Sequence, residues 1–183
     1  MNSPSIIDYN NYIISQYIKD KVGKCTVFYP NDSKNNIDFV LQKFYNSVNK
    51  FITMQVKSSK CYFHDENDKY EYKYNLWFNR FKIIENVDWF LLCGIYPNDN
   101  EVEDKSGVNI KRAKWNNIIL AFTYKELEKL FSDLKLKKKD DKKENILYIG
   151  FNDNNNAFLT RGTPEKLDLS NFLLENRINE IKN

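Results

Sequence analysis

Asp38, Gln55 and Lys57 are the residues whose types and spacing suit them to joint chemistry. The stretch "FITMQVKSSK", residues 51–60, places Gln55 and Lys57 two positions apart. In a strand these two share a face, while Ile52, Met54 and Val56 take the other. An ammonium among such apolar neighbours is costly unless something compensates it. Upstream, in "NIDFVLQ", Asp38 alternates away from Ile37, Phe39 and Leu41 and so shares a face with Val40 and Gln42. Pairing of the two strands as a hairpin with matching faces would bring carboxylate, amide and ammonium together. A hydrolytic magnesium centre can use that set: Asp38 and the Gln55 side chain as hard oxygen ligands, with the Val56 carbonyl as a third. Lys57 would orient or deprotonate the attacking water and offset charge in the transition state. Ser58 and Ser59, which follow on the strand, are candidates for phosphate contact, and with Lys60 and with Asn11 on the first helix they are candidates for nucleic-acid binding.

The elements that must position these residues are legible from periodicity. "SIIDYNNYIISQYIKDK" carries Ile7, Asn11, Ile14 and Ile18 at helical spacing, with Ile6, Ile13 and Tyr17 beside them, which predicts an amphipathic helix with Asn11 on its inward stripe. "KCTVFYP", "NNIDFVLQKFY" and "KFITMQVKSSKCYF" read as three strands. "NLWFNRFKIIEN" fits a helix or an irregular crossover. "VDWFLLCGIY" has the continuous apolar run of a strand buried on both faces, and "WNNIILAF" reads as another strand. Thr123 and Glu126 form a capping box ahead of a helix whose apolar face is Leu127, Leu130, Phe131 and Leu134. After the charged "KLKKKDDKKE" come a hairpin, "NILYIGF" with "AFLTRG", and a helix from about Ser170, its expected N-cap, to Ile181.

Composition narrows the alternatives. With 183 residues, 42% hydrophobic, the chain suffices for one folded domain with a real core. The near balance of 28 basic and 25 acidic residues, net +3, permits nucleic-acid binding only through a local patch. His64 is the single histidine, which argues against a Ser-His-Asp or multi-histidine site. No glycine-rich phosphate loop occurs. Three scattered cysteines, Cys25, Cys61 and Cys93, fit reduced thiols better than disulfides or zinc ligation, and no apolar run has the length of a membrane span, so the expected compartment is cytoplasmic. Tyr62, Tyr70, Tyr72, Tyr74, Trp77 and Phe78, with Lys69, Lys73 and Arg80 nearby, suit either base stacking or a core hairpin. The lysines at 137–139, 142 and 143 read as a solvated loop.

Taken together, "IDFVL…FITMQVKSSK" behind an N-terminal helix and a strand ending in Pro30 resembles the PD-(D/E)XK nuclease superfamily, in its variant with Gln in the second acidic position. The family's acid, Gln variant and lysine fall on Asp38, Gln55 and Lys57. The chain departs from the pattern in having Ile37 directly before Asp38, and Asn11, with Asp8 one turn earlier, where many members carry a helix-one Glu. The resemblance implies an α/β restriction-endonuclease-like fold: a mixed central sheet flanked by helices in the order α-β-β-β-(crossover)-β-β-α, then a C-terminal hairpin and helix. Residues 1–136 would form the nuclease-like core, and 137–183 an extension packed on the same domain. It further implies a Mg²⁺-dependent endonuclease acting on DNA, with Mn²⁺ as substitute metal, no membrane partner and a homodimeric state. An RNA substrate is the variant reading. The alternative is a non-catalytic nucleic-acid-binding or assembly subunit that keeps the fold.

Overall fold

The computed structural model describes residues 9–31, 36–45, 48–63, 72–97, 103–104, 111–112, 115–134, 145–152, 154, 156–161 and 166–182. In chain order these form α1 (Tyr9–Val22), β1 (Cys25–Phe28), β2 (Phe39–Tyr45), β3 (Val48–Phe63), β4 (Tyr74–Phe81), β5 (Trp89–Pro97), the short pair β6 (Glu103–Asp104) and β7 (Lys111–Arg112), β8 (Trp115–Thr123), α2 (Tyr124–Asp133), β9 (Asn145–Phe151), β10 (Ala157–Leu159), β11 (Leu167–Asp168) and α3 (Leu174–Lys182). The architecture is mixed α/β: a large, predominantly antiparallel sheet flanked by three helices.

Sixteen-residue β3 is the branch point of that sheet. Its residues 48–54 pair antiparallel with β2, its residues 54–60 pair parallel with β5, and its residues 61–63 pair antiparallel with β4. β5 continues antiparallel into β8, while β4 continues into β9, β10 and β11. One long strand therefore serves two sheet halves, and the halves close over a shared core. Tyr74, Leu76, Ile149 and Phe151 of the second half meet Phe90, Leu92 and Phe122 of the first, with Leu127 and Leu130 of α2 against them. On the other face of the first half, Phe39, Leu41, Met54 and Leu91 meet Ile14 and Ile18 of α1 and Leu174 and Ile178 of α3. β5 is covered on both faces, as its unbroken apolar run predicts.

Helix ends and loops follow local chemistry. The Thr123 hydroxyl accepts the Glu126 amide, and Glu126 Oε2 accepts the Thr123 amide at 2.8 Å, so the capping box forms as the sequence predicts. Glu126 also receives Arg177 Nη2 at 2.8 and 2.9 Å, which ties the start of α2 to α3. In α1, Ile14 and Ile18 are buried, whereas Ile13 is exposed; Ile6, Ile7 and Asp8 lie outside the described residues. Buried Ser15 donates to the Tyr12 carbonyl and shares a hydrogen bond with the Tyr29 hydroxyl, which fixes α1 against the chain following β1.

Two expectations need correction. "NLWFNRF" is neither helix nor crossover but strand β4, because its alternating Tyr74, Leu76 and Phe78 fill the core between the sheet halves. Ser170 does not cap α3: it opens a single 3-10 turn, Ser170–Phe172, and its Oγ accepts the Ala157 amide, so α3 begins only at Leu174. Residues 145–182 supply three strands of the sheet and a helix of the second core. His64, Lys69, Tyr70 and the lysines at 137–143 lie outside the described residues.

Closure of the halves depends on Gly94 in β5. A Cβ there would sit 2.3 Å from Cδ2 of Leu76, a side chain that is itself fully buried and can move only by disturbing its packed neighbours. Gly94→Ala is expected to destabilise the protein by about 1–3 kcal/mol through overpacking. Urea denaturation should show the loss as a lower midpoint, and an unchanged midpoint would contradict the seating of Leu76 on Gly94.

Candidate functional site

Residues 55–60 of β3 have β5 on one edge, but β2 pairing stops at residue 54 and β4 pairing begins at 61. The opposite edge is a notch in the sheet. Backbone amides exposed in such a gap need partners. Asp38 supplies one. The Val56 amide donates to Asp38 Oδ2 at 2.7 Å, so a side chain stands where a strand would have paired. Farther along, Ser59 Oγ accepts the Trp77 amide at 2.9 Å and donates to the Trp77 carbonyl at 3.0 Å, closing the gap where β4 rejoins.

The placement of Asp38 departs from simple alternation. Ile37 and Phe39 would share a face in a regular strand, yet Ile37 packs against the core between the sheet halves and Phe39 lies in the core beneath α1. The regular pleat is broken at Asp38. Its amide donates to the Met54 carbonyl, opposite Phe39, rather than continuing the register to Gln55, an irregularity of the β-bulge kind that re-aims a side chain. Asp38 Oδ1 then accepts Asn11 Nδ2 of α1 at 2.9 Å. Asn11, one helical turn before Ser15, reaches the carboxylate because α1 is held in place there.

Asn11, Asp38 and the Val56 backbone are thus brought together by hydrogen bonds, and Gln55 and Lys57 flank Val56. By their register with Phe90 and Leu92, Gln55 and Lys57 face the core between the halves, while the Val56 side chain faces the helices. Because N–H and C=O of one strand residue point to the same edge, the Val56 carbonyl is directed to the Asp38 side. Lys57 is partly exposed and makes no hydrogen bond or ion pair among the described residues. Ser58 and Lys60 are exposed; the Ser59 hydroxyl is engaged by Trp77.

Gln55 is the anomaly. It is 2% exposed, and its Oε1 has no hydrogen-bond partner among the described residues. A buried carbonyl oxygen left unpaired costs on the order of 1–3 kcal/mol. The Gln55 amide oxygen, the Asp38 carboxylate and the Val56 carbonyl are each hard oxygens, carried by neighbouring residues of β3 and by the side chain bonded to its edge. That chemistry fits Mg²⁺ or Mn²⁺, and it carries a single acid. Both Asp38 oxygens accept a hydrogen bond, and a carboxylate oxygen has lone pairs for more than one partner.

Other chemistries are less well served. Among the described residues no group of three or more His, Cys, Asp and Glu gathers as a metal cluster. Burial pushes the Cys61 and Cys93 thiols up to about 12, which removes them as thiolate nucleophiles near neutrality. Asp88, which the sequence did not single out, also grips β3: its Oδ2 accepts the Thr53 amide at 2.8 Å and hydroxyl at 2.9 Å. The Thr53 and Val56 amides point to opposite edges of the strand, so Asp88 and Asp38 clamp β3 from two sides and do not form a carboxylate pair.

Replacing Gln55 by methionine removes the orphaned oxygen while nearly conserving shape. The Gln55→Met variant is expected to be more stable than the parent by about 1 kcal/mol in metal-free urea denaturation and to lose any Mn²⁺-dependent rise in melting temperature. A variant less stable than the parent would show that the amide is paired and structural. Comparison of the chain with protein-family models, with curated proteins and with solved structures returns no match.

Proposed function

We propose that this protein is a Mg²⁺-dependent endodeoxyribonuclease that hydrolyses phosphodiester bonds at the β3 notch. The observation that carries the reading is the buried, unpartnered Gln55 oxygen beside the strand edge where Asp38 is held by Asn11 and the Val56 amide. The resemblance of Asp38, Gln55 and Lys57 to the Gln variant of the PD-(D/E)XK nucleases points the same way.

Asp38, Gln55 Oε1 and the Val56 carbonyl are the groups that would hold the cation. When bound, the ion supplies Lewis acidity at the scissile phosphate and makes water a stronger acid. The protein's own groups do the rest. Asn11 and the Val56 amide fix the orientation of the Asp38 carboxylate at the notch. Lys57, a cation two residues from Gln55 on a rigid strand, orients the attacking water and offsets the negative charge that builds on the phosphoryl oxygens. The strand-borne placement keeps this geometry fixed during turnover.

A specific observation favours a second reading. The site holds one carboxylate, and both its oxygens already accept hydrogen bonds, as expected for a nucleic-acid-binding or assembly subunit without turnover. The same assay separates the two. In Mg²⁺, the parent protein is expected to cleave plasmid and linear DNA in preference to RNA of the same sequence. Asp38→Ala and Lys57→Ala should each lower the rate at least about 100-fold with an unchanged circular dichroism spectrum. Undiminished cleavage by both variants would overturn the assignment, and DNA binding without cleavage by the parent would establish the second reading.

A further inference from the structure

The described aromatic and basic side chains of β3 and β4 divide by face. Tyr74, Leu76 and Phe78 enter the core between the sheet halves. The alternate positions point the other way. Register places Tyr62 opposite Asn75 and Trp77 opposite Tyr148, so Lys60, Tyr62, Asn75, Trp77 and Tyr148 share the outer face of β3, β4 and β9. The apolar faces of α1, α2 and α3 all pack into the two cores, which leaves this face uncovered by the described helices.

Three features set it apart from an ordinary exposed sheet. Tyr62 and Trp77 are 51% and 43% exposed, a large commitment of aromatic surface to water. Trp77 and Tyr148 stack at 5.6 Å with an interplanar angle of 19°, and the Arg161 guanidinium lies 4.2 Å from the Tyr148 ring centroid, making a layered stack of cation, ring and ring. At one end Gly150 lets Tyr72 lie against the strand: a Cβ there would meet the Tyr72 ring at 2.6 Å.

The charge on β3, β4 and β9 is basic, with the acid Asp168 on the same face two strands farther out. Ser58, Lys60, Tyr62, Asn75, Trp77 and Tyr148 take outward positions with no acid among them, and Arg161 stands beside Tyr148. The aliphatic side chain on this face of β9 is Ile146, which is half-buried. Asp168 of β11 lies beyond Phe158, and its carboxylate accepts the Ser170 amide. Rings interleaved with an amide and cations offer stacking, hydrogen bonds to base edges and phosphate neutralisation, whereas a protein-docking face would present contiguous apolar surface.

The platform shares β3 with the notch: Val56, whose amide binds Asp38, lies on the same face of the strand as Ser58, Lys60 and Tyr62, with Lys57 and Ser59 on the other face. We infer that the outer face of β3, β4 and β9 binds single-stranded DNA, with unpaired bases stacking on Tyr62 and Trp77 and the backbone held by Lys60 and Arg161. The choice of DNA rests on the nuclease reading, and the strand then runs from the platform toward the notch. The preferred substrate is single-stranded DNA or a duplex with an unpaired segment.

Fluorescence anisotropy in EDTA, with a labelled oligothymidine, a blunt duplex and an oligouridine of equal length, tests the platform without cleavage. The protein is expected to bind the oligothymidine at least about tenfold more tightly than the duplex and more tightly than the oligouridine. Tyr62→Ala and Trp77→Ala should each weaken oligothymidine binding at least about fivefold and leave duplex binding unchanged. Trp77 stacks on Tyr148, so its loss also lowers the melting temperature; Tyr62 stacks on no ring among the described residues, which makes Tyr62→Ala the deciding variant. Equal affinity for the DNA forms, unaltered binding by Tyr62→Ala, or preference for oligouridine overturns the inference. Running Asp38→Ala in parallel keeps the two claims apart. Single-strand binding that persists without any Mg²⁺-dependent cleavage upholds the platform and removes the nuclease reading; cleavage with unselective binding does the reverse.

Discussion

The hydrogen bond from the Val56 amide to the Asp38 carboxylate is the contact on which this structure turns. A sheet strand interior to a fold normally has both edges paired, because a backbone amide without a partner is costly. In β3 the requirement is met along residues 48–54 by β2 and from residue 61 by β4, and between them the Val56 amide is met by the Asp38 side chain. The gap is therefore not a defect in the sheet. It is a stretch of backbone without a strand partner on one edge, bridged by the Asp38 side chain at Val56 and by Ser59 to the backbone of Trp77.

The rest of the molecule supports that opening. β3 is long enough to serve two sheet halves, and the aromatic core between them, including the Tyr74, Tyr96 and Phe151 ring cluster, keeps the halves closed. Ser15 and Tyr29 position α1 so that Asn11 can reach Asp38, and the Glu126–Arg177 pair, with Arg177 also over the Trp89 ring, locks α3 into the second core, beside α1. Of these, the Ser15–Tyr29 contact bears directly on the notch, through Asn11. Gln55, with its unpaired oxygen, is the notch residue whose burial the described fold does not itself satisfy.

Much of this was legible in the sequence because local chemistry decides it. The capping box at Thr123 and Glu126 needs only a short run of consecutive residues, and the double burial of β5 follows from an unbroken apolar run. The pairing of β2 with β3 followed from two alternating patterns joined by a short turn. What failed depended on distant partners. The break in alternation at Asp38 arises because Ile37 is claimed by one core and Phe39 by another, which no window around residue 38 reveals. Strand β4 looked ambiguous because its partner β9 lies far away in the chain, and Ser170 was recruited by Ala157 instead of by its own helix. The division of Tyr74 and Phe78 from Tyr62 and Trp77 likewise required knowing that β4 is a strand at all.

The proposed hydrolysis depends on a divalent-cation site at the Asp38 edge of β3. A crystal soaked in Mn²⁺ and measured for anomalous scattering addresses it directly. A peak within about 2.0–2.3 Å of an Asp38 carboxylate oxygen, shared with Gln55 Oε1 or the Val56 carbonyl, is the predicted result. Manganese bound elsewhere, with Asp38 still hydrogen-bonded to Asn11 and Val56 and Gln55 Oε1 still without a ligand, would contradict it.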